Sequence, residues 1–209
     1  MTPAEQDARD RFHADTADHQ MKVLHDDGLY RHLRFSAPGT WMYGFDIVTW
    51  PGYLFIGGDV DDYVFARVAD MFEFFEGGRG INPHYWGEKL QGPRRGRDGA
   101  RSYSHDALRA RVMEWARDQA DDYQLGYDEH VPYLHLLAEA LEREVLYGHT
   151  YNDREGHERL ELLEEAAGYM DCWEWDLREY DWSFLWGCWA IVWGIGQYRA
   201  AKEPKAVAA

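Results

Sequence analysis

The residues best suited to chemistry lie between Ile81 and Lys89, where two large aromatic side chains stand beside two groups that can carry positive charge. Aromatic rings stack on nucleobases, and cations hold phosphates. We therefore predict a ligand-binding site made from this segment and three arginines of the preceding strands. Its residues are Arg31, Arg34, Arg67, His84, Tyr85, Trp86 and Lys89. The alternative is that Tyr85 and Trp86 fill the edge of a sheet, because large aromatic residues also dominate hydrophobic cores.

Strong catalytic and metal-binding signatures are missing from the sequence. The chain contains no GxSxG elbow, no Walker-type phosphate loop, no HExxH motif and no cysteine pair with zinc-site spacing. We therefore expect no cofactor and no metal ion, and the sequence favours a binding protein over an enzyme. The segment 77–80, Gly-Gly-Arg-Gly, can wrap a phosphate or serve as a plain hinge. Four arginines that follow it can supply further phosphate contacts or form a solvated loop. They are Arg94, Arg95, Arg97 and Arg101.

The distribution of charge narrows the classes of partner. The formal net charge is −16, and residues 118–182 alone carry 19 acidic and 4 basic groups. A protein that binds duplex nucleic acid normally presents a basic face, because phosphate neutralisation supplies most non-specific affinity. The composition therefore argues against duplex nucleic acid as a partner.

Apolar patterning and cysteine content indicate the expected compartment. The longest nearly apolar run, Phe184 to Gly196, is shorter than the roughly 20 residues that cross a bilayer as a helix. The first ten residues do not resemble a secretory signal. The two cysteines, Cys172 and Cys188, are too few for a disulfide framework. We expect a cytoplasmic protein with reduced thiols and no membrane partner.

The stretch from Tyr30 to Arg67 predicts a small antiparallel sheet of about four strands. Apolar residues alternate with polar ones in each segment, and Pro-Gly pairs at 38–39 and 51–52 suit type II turns. Short turns between successive strands indicate a meander. Before the sheet, residues 4–27 have the apolar spacing of a helix. His13, His19 and His25 would face different sides of that helix, so we interpret them as surface residues rather than metal ligands.

The later part of the chain predicts helices. Met71, Phe74 and Phe75 suggest a short helix on the sheet, and Ser104 is a candidate cap for the next helix. Further on, helical spacing continues through residues 134–145 and 160–167, and four tryptophans define one face of a final helix. These are Trp182, Trp186, Trp189 and Trp193. That face is expected to be core rather than a stacking platform.

These elements predict one α+β domain over residues 1–203, in which the small β-meander packs against a mainly helical C-terminal half. It would be sheet-rich at 29–76, a loop at 77–104 and helical at 105–200, followed by a flexible tail at 204–209. A four-stranded sheet cannot bury both of its faces alone, and an all-tryptophan helical face needs a partner. One domain with helices on the sheet satisfies both needs.

Five segments together resemble a family of bacteriophage and prophage proteins of about this length. They are Tyr30 to Phe35, Phe45 to Gly52, Tyr63 to Arg67, Ile81 to Lys89 and Ala190 to Gly194. The resemblance spans most of the chain. It implies a phage protein that acts inside a bacterium, and it implies a provenance rather than a reaction.

Together the residues and the resemblance lead to three hypotheses. The first is a counter-defence protein that sequesters a nucleotide-derived immune signal and acts as a homo-oligomer, since ligand pockets often lie between subunits. The second is an acidic inhibitor whose segment 118–182 binds a host defence protein or a host protein that handles nucleic acid. The third is an enzyme that degrades a nucleotide with His32 or His84 as general acid or base.

Overall fold

The computed structural model describes residues 1–76, 80–94, 96–124, 152–167 and 172–203. The chain forms two compact units. The first contains Met1–Arg101 and Tyr180–Ala209, and the second contains Ser102–Glu179. The single-domain boundary of the sequence analysis stays a prediction, and each unit is described by itself.

The first unit is built on a five-stranded antiparallel sheet in the order β1-β2-β3-β4-β5. The strands are β1 (Gln20–Asp27), β2 (Tyr30–Ser36), β3 (Phe45–Trp50), β4 (Tyr53–Gly58) and β5 (Tyr63–Ala66). Gly39 and Gly52 have φ angles of 78° and 86°, which the second central position of a type II turn requires. The predicted meander and its α+β class are therefore confirmed, with one strand more than expected.

The extra strand corrects the predicted helix over residues 4–27. The helix α1 covers only Pro3–Asp15, begins at a Thr2–Glu5 capping box, and is followed by strand β1. Met21 and Leu24 mimic helical spacing, but β1 pairs with β2 from Gln20 to Asp27 and bulges between Val23 and His25. Pairing with β2 overrides the weak helical pattern, because local propensity is a weak prior against tertiary contacts.

One face of the sheet, here called the inner face, carries the hydrophobic core of the first unit. Strand residues Leu33, Phe35, Ile47 and Leu54 are buried there with side chains of α1, α2 (Met71–Glu76) and the C-terminal helix α6 (Trp182–Lys202). The predicted packing of Met71 and Phe75 is confirmed, whereas Phe74 is only half-buried.

The tryptophan face of α6 is largely core, as the sequence indicated. The Trp186 ring packs edge-on against Phe12 and Phe45, with centroids 5.1 and 5.6 Å away. Trp189 and Trp193 are partly buried against the same cluster, while Trp182 is exposed.

The segment predicted as a loop over 77–104 contains regular structure where it is described. The helix α3 spans Pro83–Gly87 and starts at Asn82, whose side chain accepts a hydrogen bond from the Tyr85 amide. This agrees with the predicted helical turn. Two short 3-10 helices follow, and strand β6 (Arg101–Tyr103) pairs with β7 (Arg178–Tyr180). Residues 77–79 and 95 lie outside the described residues.

The second unit contains α4 (His105–Gln124) and α5 (Asp153–Ala167). The Ser104 hydroxyl accepts a hydrogen bond from the Ala107 amide at 3.1 Å, which confirms the predicted cap. The apolar stripes of the two helices meet in a small core. Its buried members are Leu108, Val112, Leu160, Leu163, Cys172 and Leu177. The predicted helical spacing over 134–145 lies outside the described residues, as does the tail 204–209.

Candidate ligand-binding face of the sheet

The face of the sheet opposite to the helices, here called the outer face, carries an apolar and aromatic row across its middle. Strand pairing aligns Val48, Phe55 and Val64, and the Gln91 amide continues the row by donating to the Val64 carbonyl at 2.9 Å. These side chains are half-buried rather than buried. Because side chains alternate across a strand, this surface is separate from the core.

A second row on the outer face is aromatic. Trp50 and Tyr53 are cross-strand partners and stack with ring centroids 5.2 Å apart and an interplanar angle of 14°. Tyr53 is 39% exposed. Tyr53 pairs with Ala66, whose amide donates to the Lys89 carbonyl at 3.0 Å. The row therefore passes from two parallel aromatic rings to a lysine at the edge of the sheet.

Charged residues occupy the outer face near β1. Arg34 donates two hydrogen bonds to Asp46, at 2.8 and 2.7 Å, and its guanidinium lies 5.0 Å from the centre of the Trp41 ring. The His32 Nε2 atom lies 3.2 Å from the same carboxylate. Burial alone would raise the pKa of Asp46, but the hydrogen bonds from Arg34 and the nearby His32 imidazole outweigh it and lower the pKa below its ordinary value. The Arg34 cation is thus already neutralised.

A cavity of about 220 Å³ opens beside the apolar row. Phe55 and Val64 form its apolar part, and the Phe55 ring lies over Gly57, where a β-carbon would overlap it. Asp62 and Gln91 contribute polar groups to the lining. The volume is below the roughly 300 to 1,000 Å³ of drug-sized pockets, so it suits one planar ring system rather than a whole dinucleotide.

The predicted residues of α3 and its flank separate into exposed and buried members. Trp86 is 5% exposed and packs against Phe75 at 4.7 Å, so it fills the core at the sheet edge, as the alternative interpretation proposed. Tyr85 is 37% exposed and has the Lys89 ammonium 4.4 Å from its ring centre. His84 is exposed, with its Nε2 atom 3.8 Å from Glu88. Tyr85 and His84 therefore remain accessible, whereas Trp86 is core. Lys89 is only 19% exposed, and its ammonium donates to Glu88 at 3.2 Å.

Arg31 and Arg34 do not share a site, because they project from opposite faces of β2. Arg31 is 7% exposed on the inner face and donates two hydrogen bonds to Asp70, at 2.8 and 2.9 Å. The Arg31 hydrogen bonds lower the pKa of Asp70. The Arg31 guanidinium also lies over the Phe72 ring at 4.5 Å. Arg31 is therefore held in a structural ion pair.

The seven predicted residues do not form one cluster. Arg31 begins a row of cross-strand partners that ends at Leu90, the residue after Lys89. The partners between them are Thr49, Leu54 and Phe65. Four strand spacings of about 4.8 Å place Arg31 roughly 19 Å from the edge segment. Lys89 and the exposed Arg67 both lie at the β5 edge, and the Arg67 amide donates to the Gly52 carbonyl in the β3–β4 turn. Their role in ligand binding stays a prediction.

No protein-family model, curated protein or solved structure matches the chain. Within the described ranges, no group of three or more histidine, cysteine, aspartate or glutamate side chains is arranged to hold a metal ion. No described helix is both long and apolar enough to cross a lipid bilayer.

The aromatic residues of the outer face were missed as site candidates. The sequence pattern places Trp50, Tyr53 and Phe55 on predicted strands and does not single them out as a binding surface. Their signal is readable in the sequence, because β3 and β4 carry large apolar side chains at both even and odd positions. A strand with one solvated face normally alternates apolar and polar residues, so apolar residues on both faces indicate that the second face also makes contacts.

Proposed function

We propose that this protein binds a nucleotide-derived ligand on the outer face of its sheet and acts by sequestering it. The observation that carries the proposal is the stacked Trp50–Tyr53 pair, which lies half-exposed on the outer face, where Tyr53 is two residues from the cavity residue Phe55. Every nucleobase has a face that stacks on aromatic rings, and such contacts are worth about 1 to 3 kcal/mol per base.

Arg67 at the β5 edge supports the phosphate half of the proposal, and Lys89 beside it contributes less because Glu88 already pairs with its ammonium. Lys89 follows Ala66 in the same row as Trp50 and Tyr53, and Arg67 is exposed next to the turn that joins those two aromatic residues. A nucleotide that lies across Tyr53 and the neighbouring Phe55 would place its phosphate within reach of this edge. Arg34 contributes less, because Asp46 already holds its guanidinium on two sides.

The biological setting of the proposal rests on the sequence resemblance. A phage protein that binds a nucleotide without turning it over would serve to remove a host immune signal. We therefore propose a counter-defence binding protein, and a homo-oligomer as its form. Binding without turnover is tested directly, because a bound nucleotide that is released intact separates this function from the nucleotide-degrading alternative.

The test is isothermal titration calorimetry of the full chain with a panel of mononucleotides and cyclic dinucleotides. Tyr53→Ala removes the exposed ring and should weaken binding by about 5- to 150-fold, the equivalent of one lost stacking contact. Tyr53→Phe keeps the ring and should retain most of the affinity. No binding by the native protein, or equal binding by Tyr53→Ala, would refute the proposal.

A second candidate function is supported by an exposed aromatic residue in the acidic second unit. Trp173 is 60% exposed and stacks on His157, with centroids 5.9 Å apart. Both residues line a broad cavity with Arg154, Glu158 and Glu161. Exposed tryptophans often anchor protein interfaces, and acidic surroundings would steer a basic partner. Capture of a host protein that is lost at high salt and in Trp173→Ala would favour this candidate.

A further inference from the structure

We propose that the cavity between β4, β5 and residues 91–93 is a base-specific pocket that selects guanine over adenine. This inference rests on the proposed nucleotide-binding function and adds the identity of the base. Its lining combines the apolar residues Phe55 and Val64 with two polar residues, Asp62 and Gln91. An apolar wall with a few directed polar groups is the usual composition of a small-molecule site.

Hydrogen bonding fixes what the Gln91 side chain offers to a ligand. Its Nε2 atom donates to the Lys89 carbonyl at 3.1 Å. One of the two amide donors is therefore used inside the protein, and this bond sets which end of the carboxamide is nitrogen. The Oε1 atom keeps its capacity to accept.

Asp62 adds acceptors to the same pocket. It is exposed immediately before β5, and an ionised carboxylate can only accept hydrogen bonds. The two polar side chains of the lining thus offer more acceptors than donors. A ligand with neighbouring N–H groups can donate hydrogen bonds to these acceptor oxygens. A ligand that presents acceptor atoms instead leaves the oxygens without hydrogen bonds.

The two purines differ in this property. The Watson–Crick edge of guanine carries a ring N–H and an amino group side by side, which together match a carboxylate. The corresponding edge of adenine carries an amino group beside a ring nitrogen that only accepts. Asp62 can therefore bind guanine through two hydrogen bonds and adenine through one, while Phe55 contributes stacking to both.

The experiment compares GMP and AMP binding to the native protein, Asp62→Asn and the control Asp18→Asn by calorimetry. Asp18 is exposed in the turn before β1 and is not among the cavity residues. The native protein and the control should bind GMP about tenfold or more tightly than AMP, since one added hydrogen bond to a charged group is worth about 1.5 kcal/mol or more. Asp62→Asn should abolish this ratio, because an amide can pair with either base.

The ratio of the two affinities is the readout because removing a negative charge changes the binding of both phosphates alike. Equal affinities in the native protein, or an unchanged ratio in Asp62→Asn, would overturn the guanine pocket. If the guanine pocket is overturned but Tyr53→Ala still weakens GMP and AMP binding equally, the proposed nucleotide-binding function stands without base selection. If neither nucleotide binds the native protein, both proposals fail.

Discussion

Two glycines of α6 allow one substitution to be made in two environments, and the structure predicts opposite effects on stability. Gly196 is exposed, and a β-carbon there would have no atom within 4 Å. Gly194 lies against the inner face of the sheet. A β-carbon there would stand 2.7 Å from the Cδ1 atom of Ile47 and 3.1 Å from the Cζ atom of Phe35.

The expected magnitudes follow from propensity and packing. Alanine stabilises an interior helical position by about 1 kcal/mol relative to glycine, so Gly196→Ala should gain nearly that amount. At Gly194 the same gain opposes an overpacking cost of about 1 to 3 kcal/mol. The Phe35 ring cannot move aside easily, since it is buried and stacked on Phe45 at 4.7 Å. We expect Gly194→Ala to be destabilising by about 1 kcal/mol, about 2 kcal/mol less stable than Gly196→Ala.

Urea unfolding of both variants, followed by circular dichroism and tryptophan fluorescence, measures this difference. With a slope of about 2 kcal/mol per molar urea, the two midpoints should differ by about 1 M. Equal stabilisation by both substitutions would refute the reasoning, because it would mean that α6 does not approach the sheet closely at Gly194.

Three further predictions concern the first unit. Trp86→Ala should destabilise the protein by about 3 to 5 kcal/mol, because it empties a core position. Tyr85→Ala should cost less than about 1 kcal/mol, because the Tyr85 ring is exposed. Equal losses of stability in urea unfolding would contradict the burial of Trp86. The pKa of Asp70 is lower in the folded protein than in the unfolded chain, so its ionised form stabilises the folded state. This contribution to the free energy of unfolding is complete above the unfolded-state pKa of about 3.9 and is lost as the pH falls through the folded-state pKa. Asp70→Asn should therefore reduce stability at neutral pH and flatten its decline below about pH 4, and an unchanged acid profile would count against the Arg31 pair. Burial raises the pKa of the Cys188 thiol, so iodoacetamide should label it slowly in the native protein and readily in urea; rapid native labelling would show that α6 exposes it.

Local patterns predicted the meander because its signals are short-range. The Pro-Gly turns and the alternation in β2 to β5 require only neighbouring residues to be read. Strand β1 was missed because QMKVLHDD has no clear period of two, and it forms at the edge by pairing with β2. Its identity depends on a partner rather than on its own residues.

The site could be predicted only in part, because register and facing are long-range properties. Arg31 and Arg34 are three residues apart on one strand, so parity alone places them on opposite faces. Arg31 is paired with Asp70, which lies 39 residues further along the chain, and Arg34 is paired with Asp46, 12 residues further along. The sequence does not specify these two contacts. Trp86 and Tyr85 are adjacent, and only the packing of α3 decides that one is core and the other accessible.

The most direct test of nucleotide binding is native mass spectrometry of the full chain purified from bacterial cells, beside Tyr53→Ala prepared identically. The proposal predicts a stoichiometric nucleotide on the native protein that is released intact on denaturation and is reduced or lost in the variant. The same spectrum reports the oligomeric state. A native protein free of nucleotide that also fails to take up added nucleotides, or an adduct of equal occupancy on Tyr53→Ala, would contradict the outer face as the binding site.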